Sequence, residues 1–248
     1  MFPIRDHNPS GRTPYVTYAL IAANVVVFLG YWLALPTEEA LNWFFFRFGL
    51  VPAAVTSGQG WAGFLTSMFL HGGWMHLFGN MLFLYIFGDN LEDLMGHVGF
   101  LVFYLAAGLA AAAGQVLADP WSPLPMVGAS GAIAGVMGGY LLLFPRAKVD
   151  VLIIFVIFFR IFPIPAWIML GLWFGLQLIS GFSAPSDMGG VAYWAHSGGF
   201  LAGLVFTLPF WLRKGGPAFW SVTHGQPPHP HPDYALQRSR IPVVRRRR

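Results

Sequence analysis

Long apolar runs, separated by short polar or charged stretches, make up most of the chain. A helix that crosses a membrane needs about 20 mostly apolar residues. By this measure, spans are predicted near Tyr15–Leu35, Trp74–Phe87, Val98–Leu117, Pro125–Phe144, Ile164–Ile179 and Val191–Leu212. The predicted fold is therefore an all-α membrane protein, a bundle of six transmembrane helices with both termini on the same side.

Two apolar segments do not fit this pattern. The stretch after Phe48 carries no charge, but Pro52, Gly58 and Gly60 interrupt it, which predicts a long loop before the second span. The segment Val149–Phe162 is apolar but has charged residues at and near both ends. It is predicted as an interfacial or re-entrant piece, because a further span there would break the charge pattern of the loops.

Composition supports a membrane protein and limits its chemistry. Of the 248 residues, 56% are hydrophobic and only 10% are charged, whereas an ordinary soluble domain has roughly 25% charged residues. The chain contains no cysteine, which excludes disulfides and thiolate catalysis. Lipids are expected neighbours, and no nucleic-acid partner is expected.

The basic residues orient the predicted spans. Of the 14 Lys and Arg residues, all except Arg47 precede the first span, lie between the fourth and fifth, or follow the sixth. Because cytoplasmic loops are rich in basic residues, both termini are predicted on the cytoplasmic side of the cell membrane. The chain divides into a cytoplasmic segment (1–14), a six-span domain (15–212) and a basic tail rich in Pro and His (213–248). The tail is predicted to be disordered.

The few polar residues within the spans lie at similar depths. His76 and Asn80 lie two and six residues into the second span, and Ser130 and His196 each lie five residues into the fourth and the sixth. All three spans start on the outer side, so these side chains are expected within roughly 10 Å of the outer end. Because polar groups are unfavourable in a membrane, their convergence predicts one functional site near the outer face.

Small residues on two of these spans favour close helix packing. They are Gly131, Gly135 and Gly139 on the fourth span and Gly199 and Gly203 on the sixth. Glycines at this spacing let two helix backbones approach each other closely. We therefore expect Ser130 and His196 to come within hydrogen-bond reach.

Ser130 and His196 would form a dyad suited to acyl transfer. A serine hydroxyl attacks a carbonyl only when a base accepts its proton, and a histidine supplies such a base. Donors for the resulting oxyanion would be the Asn80 amide, the His76 ring and the main-chain N–H of Ser130. Gly128 and Gly131 would keep the approach free of side chains. No acidic residue is expected at this depth, so packing or a neutral hydrogen bond must orient the imidazole.

Each of these residues also has a simpler interpretation. A lone serine in a membrane helix usually packs or bonds to its own backbone, and glycine stripes usually serve packing alone. His71 and His76 could ligate a metal, but they do not form an HExxH pair and no carboxylate completes the set. A transporter built on these histidines and His196 would lack the intramembrane carboxylates of an ion path. No metal and no cofactor are predicted.

Three motifs resemble those of the rhomboid family of intramembrane serine proteases. The family has His-x4-His-x3-Asn on the second span, Gly-x-Ser-Gly on the fourth and Ala-His-x2-Gly-x3-Gly on the sixth. Here the motifs read His71, His76 and Asn80; then Gly128, Ser130 and Gly131; then Ala195, His196, Gly199 and Gly203. They occur in the family's order, and the resemblance covers about Tyr15 to Leu212.

The resemblance implies a function and a role for each residue. Ser130 would be the nucleophile, His196 the general base, and His76 and Asn80 the oxyanion donors, with His71 in support. The substrates would be single-span membrane proteins, cut where their helix unwinds easily. The alternative is a rhomboid-like pseudoprotease that binds membrane helices without cleaving them. The presence of both Ser130 and His196 argues against that alternative.

Two positions depart from patterns found in some relatives. Where these relatives have a Trp-Arg pair in the first loop, this chain has Phe-Arg around Arg47. Where others have a tyrosine four residues after the serine, this chain has Ala134, so the imidazole must be held differently. Candidate positions for a substrate gate are Trp167, Trp173 and the loop Gly181–Gly190.

Overall fold

A computed structural model describes residues 2–155, 158–183 and 191–226 of the chain. The helices in these ranges are α1 (Tyr15–Ala34), α2 (Glu38–Phe48), α3 (Pro52–Thr56), α4 (Gly63–Thr66), α5 (Trp74–Met95), α6 (His97–Ala118), α7 (Ser130–Leu143), α8 (Ala166–Ser183), α9 (Tyr193–Arg213) and α10 (Pro217–Thr223), with a 3₁₀ turn at Ser67–Phe69. The strands are β1 (Phe2–Asp6), β2 (Lys148–Phe155) and β3 (Phe158–Pro165). The described chain is thus mostly helical.

In the described ranges, four helices are long and apolar enough to cross a membrane, namely α1, α6, α8 and α9. Each lies close to a predicted span. The other two predicted spans correspond to α5, which has 22 residues but a polar end, and to α7, which has 14 residues. At about 1.5 Å per residue, α7 is about 21 Å long and shorter than the bilayer core. The count of six spans stays a prediction.

The helix α5 continues well beyond the predicted end of the second span because its polar end is well bonded. Glu92 is 1% exposed and accepts hydrogen bonds from the main-chain N–H groups of Val16 and Thr17, each at 2.8 Å. The Thr17 hydroxyl donates to the same carboxylate at 2.7 Å. The first N–H groups of a helix lack partners within the helix. Glu92 therefore caps α1 and ties it to α5.

A small sheet corrects the all-α prediction. The strands pair antiparallel in the order β1-β2-β3, and most of β2 and β3 comes from the segment predicted as interfacial or re-entrant. Of that segment, residues 156 and 157 lie outside the described residues. The β-branched Val149 and Val151 are fully buried, which favours an extended pairing over a helix.

An ion pair joins the N-terminal strand to this hairpin. Asp150 accepts one hydrogen bond from Arg5 Nε at 2.6 Å and makes a further contact with the His7 ring at 2.8 Å. These bonds lower the pKa of the Asp150 carboxyl, although burial acts against them. Strand β1 thus depends on partners nearly 150 positions away, so the local sequence pattern alone does not predict it.

The start of the tail is folded, which corrects the prediction that all of residues 213–248 are disordered. Residues Pro217–Thr223 form α10, whose Trp220 indole N–H donates to the Leu142 carbonyl at 2.9 Å. The carbonyl of Gly225 accepts a hydrogen bond from the Arg146 N–H at 2.8 Å. This segment therefore packs at the C-terminal end of α7. The remainder of the tail, residues 227–248, lies outside the described residues.

Helix α7 lies at the centre of the molecule, and every residue from Gly131 to Tyr140 is buried. Its partner α9 packs on it backbone to backbone. A Cβ on Gly199 would run into the carbonyl oxygen of Gly131, and one on Gly203 would run into that of Gly135. This close approach, expected from the glycine spacing, brings the N-terminal ends of α7 and α9 together.

Candidate active site

Ser130 and His196 are in hydrogen-bond contact. The Oγ of Ser130 lies 2.8 Å from Nε2 of His196, and both residues are partly buried. His196 lies in the first turn of α9. The packing of glycines between α7 and α9 places these two residues side by side.

Ser130 is the first residue of α7, not the sixth of a longer helix as the predicted span implied. The residues before it are held by Leu50, whose main chain pairs with Met126. Gly128 has φ 130°, a conformation that side chains disfavour, so the helix begins only after this residue. As a result, the main-chain N–H of Ser130 is one of the helix N-terminal donors that lack an intrahelical acceptor. Such groups favour a negative charge nearby.

Gly128 faces His76 across a narrow gap next to the serine. A Cβ on Gly128 would lie 2.8 Å from His76 Nε2 and 3.4 Å from Ser130 Oγ. On its other side, the His76 ring accepts a hydrogen bond at Nδ1 from the Gly72 N–H, at 3.2 Å. A neutral imidazole that accepts at Nδ1 carries its proton on Nε2. His76 therefore presents an N–H donor toward the gap.

Asn80 lies one helical turn after His76, on the same side of α5. Its Nδ2 donates to the main-chain oxygen of His76 at 2.8 Å, and the residue is 7% exposed. An amide NH₂ group has two hydrogens, so one remains for another acceptor. One of the two amide hydrogens of Asn80 is thus used within α5, and the other is available to a further acceptor.

His71 is fully buried behind His76. The two ring centroids are 5.1 Å apart, and the rings meet edge to face. The main chain of His71 is held by Tyr31 of α1, whose hydroxyl accepts from the His71 N–H at 2.9 Å and donates to the His71 carbonyl at 2.5 Å. His71 therefore packs behind His76, whose ring faces the gap next to Gly128.

Two further residues hold His196, and sequence reasoning did not assign them this role. Gln177 Oε1 lies 2.8 Å from Nδ1 of His196, and the Trp173 ring centroid lies 5.7 Å from that of the imidazole at an angle of 33°. Both belong to α8. Trp173 was predicted only as a candidate gate position. Gln177 was not predicted, because the polar residues that indicated the site lie on the second, fourth and sixth predicted spans and Gln177 lies on the fifth. The sequence feature that could have indicated Gln177 is that it is the one amide side chain in an otherwise largely apolar span.

Three further predictions concerned the packing at Gly131, a metal site and the residues of a substrate gate. A Cβ on Gly131 would lie 2.6 Å from that of Ala111, so this glycine lets α6 approach α7. Across residues 2–155, 158–183 and 191–226, no group of three or more His, Asp or Glu side chains could hold a metal ion. Of the candidate gate positions, residues 184–190 lie outside the described residues, whereas Trp167 is exposed on α8.

Comparison with known proteins shows where this arrangement belongs. The Rhomboid domain model matches residues 57–213, the region that holds every residue of the candidate site apart from Tyr31 and Leu50. The chain is 30% identical over 202 residues to Rhomboid protein 1, mitochondrial, of Saccharomyces cerevisiae, covering 77% of this chain and 52% of that protein. It is 34% identical over 128 residues to the rhomboid protease GluP of Bacillus subtilis, covering 52% of this chain and 24% of GluP.

A third relative, the putative rhomboid protease YdcA of Bacillus subtilis, is 32% identical over 128 residues, covering 52% of this chain and 61% of YdcA. In each of these three comparisons the chain spans less than two thirds of the relative's own length. The family model matches more than half of the chain, and the apolar helices fit a protein embedded in a membrane. The chain therefore belongs to the rhomboid family of multi-pass membrane proteins, many of which are intramembrane proteases.

Proposed function

We propose that the protein is an intramembrane serine endopeptidase that cleaves membrane-spanning segments with a Ser130–His196 dyad. The observation that carries this proposal is the 2.8 Å contact between Ser130 Oγ and His196 Nε2 at the first residue of α7. A hydroxyl bonded to an unprotonated imidazole nitrogen can release its proton as its oxygen attacks. Membership in a family that includes rhomboid proteases supports the same conclusion.

Acylation would begin with attack of Ser130 Oγ on the carbonyl carbon of the scissile peptide bond. As the new C–O bond forms, the Oγ proton passes to His196 Nε2 and the carbonyl π electrons move to oxygen. When the tetrahedral intermediate collapses, the C–N bond breaks and His196 gives its proton to the departing amine. The products of this step are the free amine fragment and an ester on Ser130.

The gap beside Gly128 suits the oxyanion of this intermediate. The N–H of His76 Nε2 and the Oγ of Ser130 border the gap. The main-chain N–H of Ser130, at the start of α7, and the amide hydrogen of Asn80 that the His76 carbonyl does not use are the further donors in this proposal. Fixed donors aimed at a developing charge lower the barrier, and they act more strongly where water is scarce. The N-terminal end of α7 adds a favourable dipole.

Deacylation would use the same groups in reverse order. A water molecule gives a proton to His196 Nε2 as its oxygen attacks the ester carbon, and the second oxyanion forms in the same gap. Collapse breaks the bond to Ser130 Oγ, which takes the proton back from His196. The carboxylate fragment then leaves, and the dyad returns to its starting state. No metal or cofactor is required for these steps.

The predicted orientation in the membrane would place the dyad where both water and a substrate helix could reach it. The six predicted spans and the excess of basic residues on one side favour cytoplasmic termini in the cell membrane, with the dyad near the outer face. Single-span membrane proteins are the expected substrates. A dyad near the outer face could receive water from that side while the substrate helix comes from the lipid.

The test is cleavage of a single-span reporter in liposomes, with a helix-breaking residue near the outer end of its span. Ser130→Ala and His196→Ala are expected to reduce cleavage roughly a thousandfold or more. Ser221→Ala is the matched control, because the Ser221 side chain is exposed on α10, far along the chain from the dyad, and this variant should cleave like the wild type. A chelator should have no effect.

Other outcomes would favour the alternatives. A wild-type protein that binds several reporters but cleaves none would support a pseudoprotease. Cleavage or transport that survives Ser130→Ala but is lost with chelator would exclude the serine mechanism. Either result contradicts the proposal.

A further inference from the structure

The catalytic histidine of the proposed dyad is held from a single helix. Trp173 and Gln177 lie four residues apart on α8, so they share one face of that helix. Trp173 packs against the imidazole, and Gln177 makes a hydrogen bond to its Nδ1. Together they contact His196 on the sides that Ser130 does not occupy.

We propose that Gln177 is the positioning residue of the proposed protease, a neutral third member that orients His196 toward Ser130. This inference rests on the proposed function. In serine proteases with a triad, a carboxylate bonded to Nδ1 holds the imidazole in the tautomer that serves the serine. Here the atom at that place is an amide oxygen, 2.8 Å from His196 Nδ1.

The orientation of the amide follows from its second bond. Gln177 Nε2 donates to the carbonyl of Trp173, one turn earlier in α8, at 3.4 Å. This bond directs the NH₂ group toward its own helix and leaves Oε1 facing His196. An amide oxygen can only accept, so Nδ1 of His196 must carry the proton of the neutral ring. Nε2 is then unprotonated and can accept the Ser130 hydroxyl proton.

A neutral partner suits this environment better than a carboxylate would. A charged side chain within a membrane span is unfavourable unless it is paired, whereas an amide requires only hydrogen bonds. When His196 becomes positively charged in the transition state, the Gln177 oxygen carries the negative end of a fixed dipole toward Nδ1. Gln177 thus stabilises the charged ring without a permanent buried charge.

Trp173 supplies the packing that the chain lacks on α7. The position four residues after Ser130 is Ala134, which is fully buried and has no ring to stack on the imidazole. The Trp173 ring approaches His196 from α8 instead and also lies 6.1 Å from the Phe200 ring. Packing limits rotation of the imidazole, while the bond to Gln177 fixes its tautomer.

The test compares Gln177→Leu, Gln177→Glu and Ser180→Ala in the liposome cleavage assay. Gln177→Leu keeps a side chain of similar size but removes the acceptor, so kcat should fall roughly 10- to 100-fold with KM nearly unchanged. Its thermal unfolding midpoint should fall by only a few degrees, because a single N–H group loses its partner. Ser180→Ala removes a hydroxyl one turn further along α8 and should leave kcat unchanged.

Gln177→Glu tests orientation directly because it restores an acceptor at the same place. Its kcat should recover to within about threefold of the wild type, and the acid limb of its kcat–pH profile should move to higher pH. A change in packing alone would not move the pH profile in this way.

Two results would overturn this inference while leaving the proposed function intact. One is a Gln177→Leu variant with wild-type kcat. The other is an equal loss of kcat in Gln177→Leu and Gln177→Glu with the same large fall in the unfolding midpoint, which would assign Gln177 a packing role. Cleavage that survives Ser130→Ala would instead overturn the proposed function, so the two failures are distinguishable.

Discussion

His76 and Gly128 face each other across a gap that one methyl group would fill. A Cβ on Gly128 would lie 2.8 Å from His76 Nε2, and the glycine has φ 130°. The gap is therefore preserved both by the missing side chain and by a backbone conformation that favours glycine. Since Ser130 borders the same gap, the proposed protease would form its oxyanion there.

Gly128→Ala should abolish most of the activity. The added methyl would occupy the place of the oxyanion, and kcat should fall at least roughly 100-fold. The strained backbone should also destabilise the protein by about 1 kcal/mol. Gly79→Ala is the matched control, because a Cβ there meets nothing within 4 Å, and it should keep wild-type activity. Wild-type kcat in a folded Gly128→Ala protein would show that the gap is not the oxyanion site.

The two side-chain donors should differ in importance. His76 has its Nε2 proton free to point at the gap, whereas the Asn80 amide already donates to the His76 carbonyl. His76→Ala should therefore lower kcat by roughly 100-fold or more, and Asn80→Ala by less. Steady-state cleavage kinetics of both variants, with KM measured separately, would check this order. The reverse order would mean that the tautomer assigned to His76 is wrong.

The contact between α7 and α9 should be intolerant of even one methyl group. A Cβ on Gly203 would overlap the carbonyl oxygen of Gly135, so Gly203→Ala must push the helices apart. Overpacking of this kind costs about 1–3 kcal/mol. Thermal unfolding in detergent should show a lower midpoint, and activity should fall as Ser130 and His196 separate. Gly171→Ala on α8, where a Cβ meets nothing within 4 Å, should leave both unchanged. Equal midpoints for the two variants would contradict this packing.

Asp6 should make stability depend on pH. Burial raises the pKa of its carboxyl from 3.8 to about 7, although a hydrogen bond from Tyr140, at 2.6 Å, partly opposes the shift. The carboxyl lines a cavity of about 550 Å³ together with Asn8 and Asp89. Because the folded protein retains a proton that the unfolded chain has lost, the Asp6 contribution is fully present below about pH 4. It is lost as the pH rises through about 7.

Asp6→Asn would remove this titration and keep an acceptor for the Tyr140 hydroxyl. Unfolding midpoints measured from pH 4 to pH 8 should therefore fall less steeply for the variant than for the wild type. The two proteins should be similar near pH 4, and the variant should be the more stable near pH 8. Parallel curves over the whole range would show that Asp6 does not hold its proton in the folded protein.

The contact between α7 and α9 was predictable from the sequence, because it depends on glycines that recur at the spacing of one helical turn. Glycines at intervals of four predict that α7 and α9 approach closely, and this approach brings Ser130 next to His196. Hydropathy also predicts where the long apolar helices α1, α6, α8 and α9 begin and end, to within a few residues. It does not detect where a helix starts within an apolar stretch, which is why the start at Ser130 was missed.

Other features depend on residues that are distant in the chain. Strand β1 is extended because it pairs with β2, and the length of α5 depends on Glu92 bonding to the start of α1. The contact of Gln177 with His196 depends on the rotation of α8 about its axis, which an almost uniformly apolar sequence does not specify. Only the packed structure brings such partners together.

The most direct test of the central claim is chemical labelling of Ser130. A serine-directed phosphonate reacts with an activated serine hydroxyl and leaves a covalent adduct that mass spectrometry can locate in the sequence. If Ser130 is a nucleophile activated by His196, the wild type should form one adduct, on Ser130, and His196→Ala should form none. A wild-type protein that cleaves its reporter without labelling at Ser130, or that labels equally without His196, would contradict this mechanism.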